Sequence, residues 1–253
     1  VCESPNNKTC EVLPKSAVTA VIAFDSSIQA ISNDYLPTQK QFAINLVNEI
    51  FYSNLSRVAF IDFSSKNDSF LNFQTNNTNL ISAINSTSVN SGGKDLRCPL
   101  FKAVEALTNY STTNQKFIYL ITDVPAVGES QSCASCQLIS NCAGFPTYSQ
   151  SYILPNDITL VIIANNGNMT ALNTFSTFNN NEAIVYYANQ SFIADPNFAN
   201  GVFKNSFINS NSTCIDIEDM TYPTTCNCID VGRTTYDCIN GQYNKKPEIV
   251  SPV

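Results

Sequence analysis

At 253 residues the chain is long enough for one sizeable domain with an added segment. Only 13% of its residues are charged and the net charge is −7, which argues against nucleic-acid and anionic-membrane partners. No histidine is present, so the familiar Ser-His and Cys-His nucleophile pairs cannot be built, and a non-enzyme is expected.

Residues 1–15 form an N-terminal arm with Cys2 and Cys10, and Val1-Cys2 reads as a mature terminus left after signal removal. Val18 to Phe24 is a near-continuous apolar run, as expected of a strand buried on both faces, and it ends on Asp25. Pro37 can open a helix in which Phe42, Ala43, Leu46, Val47 and Ile50 recur at helical spacing. Val58 to Phe63 is a second strand. Phe70 to Phe73 is a short third one, close enough for a hairpin. Leu80, Ile81 and Ile84 mark a short helix. Pro99 starts another, with Leu100, Ala103, Val104 and Leu107 on one face. Phe117 to Ile121 is the fourth strand and leads through Thr122 to Asp123. An insertion, residues 125–155, holds three cysteines. Ile158 to Ile163 and Ala183 to Tyr187 are the fifth and sixth strands, with Leu172 and Phe175 on a helix between them. Asp195-Pro196 is a cap and first turn for a last helix carrying Phe198, Val202 and Phe203. Such alternation implies a doubly wound, mostly parallel α/β sheet with helices on both faces. From Cys214 the apolar periodicity is lost. Residues 214–253 read as a small cysteine-rich tail, and Gln242 to Val253 within it as a linker to further chain.

Asp25-Ser26-Ser27-Ile28-Gln29 after the first strand, Gly92-Gly93-Lys94 before a helix, and Thr122-Asp123 after the fourth strand resemble, in order and spacing, the von Willebrand factor A domain. Arg57 to Ser64 also looks like that family's second strand. The resemblance spans residues 16–213 and implies six strands in the order 3-2-1-4-5-6, the third antiparallel at one edge. It also implies a metal-ion-dependent adhesion site, whose first loop reads Asp-x-Ser-x-Ser and whose second reads Gly-Gly-Thr. Asp25, Ser27 and Asp123 match, Gln29 replaces a serine, and Lys94 replaces the threonine.

The two losses differ in weight. Gln29 still offers a carbonyl oxygen, which Mg²⁺ or Ca²⁺ accepts. Protonated Lys94 offers no lone pair, and it sets a positive charge beside the cation. At about 4 Å that repulsion is several kcal/mol for an effective dielectric near 20. The ammonium can instead neutralise Asp25 and Asp123 itself, so no cofactor is expected. Two alternatives stay open: Lys94 extending to solvent and leaving a weakened metal site, and Asp95 entering the cage through a loop shifted by one residue.

Nine Asn-x-Ser/Thr sequons occur, at Asn7, Asn54, Asn67, Asn76, Asn85, Asn109, Asn168, Asn189 and Asn211. With ten cysteines (Cys2, Cys10, Cys98, Cys133, Cys136, Cys142, Cys214, Cys226, Cys228 and Cys238) and no histidine, they point to a disulfide-bonded, extracellular glycoprotein rather than a zinc protein. Cys98 is expected to pair with Cys133, Cys136 or Cys142, and the tail cysteines with one another and with Cys2 or Cys10. No run of 18 apolar residues offers a membrane span. Two functions are expected to compete. One is an adhesion module binding an extracellular protein or glycan. The other is a structural subunit of matrix or filament that packs against copies of itself.

Overall fold

A computed structural model of the protein describes residues 17–27, 35–64, 68–89, 96–122, 136, 138, 154–165, 184–188, 193–210, 234–239 and 242–247. The main domain runs β1 (Val18–Asp25), α1 (Tyr35–Ile50), β2 (Arg57–Phe63), β3 (Ser69–Gln74), α2 (Thr78–Ser86), α3 (Arg97–Asn109), β4 (Gln115–Thr122), β5 (Ile158–Asn165), β6 (Ile184–Ala188) and α4 (Pro196–Ser210). The six strands form one sheet in the order β3-β2-β1-β4-β5-β6. All neighbours are parallel except β2 and β3. This is the order expected from the sequence. The expected helix over Leu172 and Phe175 lies outside the described residues.

Side chains of a strand alternate between the two faces of its sheet, and β1 shows the consequence. Val18, Ala20, Ile22 and Phe24 join a core layer with α1, α2 and α4, while Val21 and Ala23 join a second layer with α3. All eight residues of β1 are buried, which is why the strand reads as a near-continuous apolar run. Each fully buried Ile or Phe contributes roughly 1.5–3 kcal/mol relative to exposure, so both layers drive the fold.

The helices follow their sequence signals closely. Phe42, Ala43, Leu46, Val47 and Ile50 of α1 are fully buried, and the Phe42 ring centroid lies 5.4 Å from that of Phe198 on α4. Pro37 falls in the first turn of α1, where a missing N–H costs nothing. Asp195 caps α4: its Oδ1 accepts the Asn197 N–H at 2.9 Å and its carbonyl accepts the Phe198 N–H at 3.0 Å. Gln39 departs from the pattern, being fully buried with both amide atoms lacking a hydrogen-bond partner among the described residues.

Two elements differ from simple periodicity. A register shift between the Val58 and Phe60 pairs puts a bulge in β3. As a result Phe70 and Phe73 both pack against the α3 layer, although an odd spacing would place them on opposite faces. In the tail, β7 (Thr234–Ile239) and β8 (Gln242–Pro247) pair as an antiparallel hairpin. The stretch read as linker therefore begins with a strand. The sequence between them, Asn240-Gly241, is a favoured hairpin dipeptide and was the signal for the pairing. No helix among the described residues is long and apolar enough to cross a membrane.

Candidate functional site

The carboxyl ends of β1 and β4 lie side by side at the centre of the sheet, with Phe24 paired to Ile121. Ligand sites in open α/β sheets form at such ends. Asp25 closes β1 and is fully buried. Its Oδ1 accepts the Ser27 N–H at 3.0 Å, and its Oδ2 accepts the Thr122 hydroxyl at 2.7 Å. The Ser26 N–H and hydroxyl both donate to the Phe63 carbonyl, at 3.0 and 3.3 Å, and fasten the loop to the end of β2. The expected residues Asp25 and Ser27 are thus brought together. Gln29, Lys94, Asp95 and Asp123 lie outside the described residues.

Each oxygen of Asp25 accepts a donor from the protein itself. Among the described residues no group of three or more His, Cys, Asp or Glu is placed to hold a metal. Asp25 and Ser27 are oxygen-bearing residues of the kind a hard divalent ion accepts, and the other expected positions of its cage lie outside the described residues.

Two further residues matter here. Thr122, part of the Thr122-Asp123 motif but given no role from the sequence, is the direct partner of Asp25. Asp62, one residue from the end of β2, is half-buried, and its Oδ1 is buried with no hydrogen-bond partner among the described residues. Burial pushes its carboxyl above the usual range, the hydroxyls of Ser26 and Thr87 oppose this, the nearby Asp25 adds to it, and the Lys40 ammonium opposes it. Lys40 meanwhile donates to the Asn85 carbonyl at 2.8 Å, closing the end of α2. The signal for Asp62 was available: a carboxylate inside a strand that is otherwise apolar.

The raised carboxyl has a definite consequence. Ionised Asp62 costs the folded state stability above its folded pKa. That cost disappears as pH falls through the folded pKa, and none remains below the unfolded value of 3.8. Asp62→Asn is therefore expected to stabilise the domain by about 1 kcal/mol at neutral pH. The advantage should shrink to nothing as pH approaches 3.8. Urea unfolding of both proteins across this range checks it, and an advantage independent of pH would assign the effect to packing.

Cys98, in the first turn of α3, is joined by a disulfide to Cys136 of the insertion, with Cα atoms 5.6 Å apart. Cys136 is one of the three partners expected for it. Both are buried in the α3 layer with Leu138 and Leu154, so the bond ties the insertion to the helix that follows the Gly92-Gly93-Lys94 loop. Asp68, whose Oδ1 accepts the Ser64 N–H at 3.0 Å, places Oδ2 3.4 Å from the Cys98 Sγ. The other eight cysteines lie outside the described side chains.

Solved structures share this architecture. The VWA domain of SpRpn10 superposes with a TM-score of 0.53 at 17% identity, covering 74% of this chain and 96% of that one. The pilus adhesin SpaC from Lactobacillus rhamnosus GG, in its open conformation, gives a TM-score of 0.58 at 14% identity, over 81% of this chain and 32% of that one. Proximal thread matrix protein 1 from the mussel byssus gives 0.51 at 13% identity, over 79% and 49%. At these identities the likeness shows the fold alone. No curated protein sequence matches the chain. The family model for the von Willebrand factor type A domain matches residues 20–199, which takes in β1 through the start of α4 together with the Asp25 loop. With that match and the observed strand order, the chain belongs to the von Willebrand factor type A family.

Proposed function

We propose that the chain is a secreted, N-glycosylated adhesion module without catalytic activity. It binds an extracellular protein or glycan at the face where β1 and β4 end. The observation that carries this reading is the adjacency of those strand ends, which sets the Asp25 loop beside Thr122. Membership of the family supports an interaction role, since its fold presents a ligand face at these ends. Four sequon asparagines fall among the described residues (Asn54, Asn76, Asn85 and Asn109), and all four are exposed, as a glycan requires. The remaining cysteines are proposed to be oxidised like Cys98 and Cys136.

At the site itself, Lys94 takes the place of the divalent ion and neutralises Asp25 and Asp123. Isothermal titration with Mg²⁺ and Ca²⁺ tests this. The unmodified protein should give no heat of binding. Lys94→Thr, which removes the internal cation and restores an oxygen ligand, should acquire measurable affinity. Binding by the unmodified protein at this loop would overturn the replacement.

A second reading is a structural subunit of an extracellular matrix or filament. The lysine in a ligand position and the cysteine-rich tail favour it. The fold is shared both with an adhesin and with a thread matrix protein, so it does not choose between the two readings. Sedimentation of the secreted protein separates them. A monomer whose ligand binding is lost on Asp25→Ala supports the adhesion module, whereas concentration-dependent assembly through the tail supports the subunit.

A further inference from the structure

We propose, on the reading of the chain as a secreted glycoprotein, that Asn76 carries an N-linked glycan. We infer that this glycan, with a ladder of carboxamides along β3, closes the edge of the sheet to strand pairing with a second copy of the chain. β3 stands at the end of the strand order, so one side of it presents main-chain donors and acceptors, a template for another strand. Its sequence, Ser69-Phe70-Leu71-Asn72-Phe73-Gln74, has neither charge nor proline and is half large apolar residues. That composition favours pairing, and the usual protections of an edge, lysine and proline, are missing from it.

Side-chain amides supply the protection instead. Asn72 Oδ1 accepts the Phe73 N–H at 2.8 Å, and Gln74 Nε2 donates to the Asn72 carbonyl at 2.7 Å. Asn79, on α2, donates from Nδ2 to Gln74 Oε1 at 2.9 Å and holds that side chain in place. The β3 bulge twists the edge at the same point. These hydrogen bonds are exposed and compete with water, so by themselves they are a weak barrier.

Asn76 lies just past the end of β3, is exposed, and begins the sequon Asn76-Asn77-Thr78. Its Oδ1 accepts the Thr78 N–H at 3.2 Å, which turns the carbonyl side of the amide toward the start of α2. Nδ2, the atom that takes the sugar, makes no hydrogen bond among the described residues. The transfer uses a lipid-pyrophosphate oligosaccharide donor: the bond from Nδ2 to sugar C1 forms, the C1–O bond to pyrophosphate breaks, and the departing pyrophosphate takes up the amide proton. An added strand would have to run about 4.8 Å from β3, and an oligosaccharide at its end obstructs that approach.

The test uses protein secreted from a glycosylating host. Peptide mapping should find glycan on Asn76. A variant combining Thr78→Ala, which destroys the sequon but keeps Asn76, with Asn72→Ala and Gln74→Ala should self-associate at least about tenfold more tightly than the unmodified protein in sedimentation velocity. The associated form should show slowed hydrogen exchange at the Leu71 to Gln74 amides, which places the contact on β3. As a control that needs no substitution, enzymatic trimming of the glycan from otherwise unmodified protein should raise association in the same direction. An unmodified Asn76 alongside glycosylated sequons elsewhere would overturn this inference and leave the secreted reading intact. Unchanged association in the variant and in the trimmed protein would do the same. Absence of glycan from every sequon would instead overturn the secreted reading itself.

Discussion

Replacing both Cys98 and Cys136 by alanine is expected to cost about 4 kcal/mol of domain stability. The bond closes a loop with a sequence separation of 38 residues, and restricting that loop removes conformational freedom from the unfolded chain. For a domain of this size the loss corresponds to a fall of about 10 °C in Tm. Both sulfurs are buried in the α3 layer, so the substitutions also remove some packing against Leu138 and Leu154. Thermal unfolding of the variant, and of the unmodified protein with and without reductant, measures the effect. Reduced unmodified protein should melt at or below the variant, because reductant also opens the bonds proposed for the other cysteines. A variant that melts with the oxidised protein would mean that the insertion is held by its apolar contacts alone.

Asp25→Ala should lower stability by about 3 kcal/mol, because it strips the acceptor from two buried donors at once. The Ser27 N–H and the Thr122 hydroxyl would lose this buried acceptor at the end of the central strand. Asp25→Asn should cost less, since its carbonyl oxygen can still accept from one of the two. Thr122→Val removes only one donor, and in a double-mutant cycle with Asp25→Ala the two losses should fall short of additive. Urea unfolding supplies these free energies. Tolerance of Asp25→Ala within about 0.5 kcal/mol would show the site to be open enough for water to replace the carboxylate.

The sequence by itself determined the fold of this protein. β1 and β4 each carry a long, nearly continuous apolar run because both faces of a central parallel strand are covered, and that signal requires no knowledge of neighbours. The helical spacing of Phe42, Leu46 and Ile50, and the cap at Asp195, are equally local: each depends on residues within one or two turns. Part of the site was legible for the same reason, since Asp25 and Ser27 belong to one short loop.

Only the tertiary structure decided how distant residues meet. The hydrogen bond from Thr122 to Asp25 spans 97 positions, and no periodicity announces it. The choice of Cys136 among three cysteines depends on where the insertion returns to α3. Asp62 stands out in the sequence as a carboxylate within an apolar strand, but its burial and raised carboxyl are set by the fold around it, and Gln39 reads as an ordinary helix polar residue until it is buried at the core. Local signals report backbone conformation and which face a residue occupies. Burial of a charge and the partner of a donor are set by elements far along the chain, because the environment of a buried group is made by whatever packs against it.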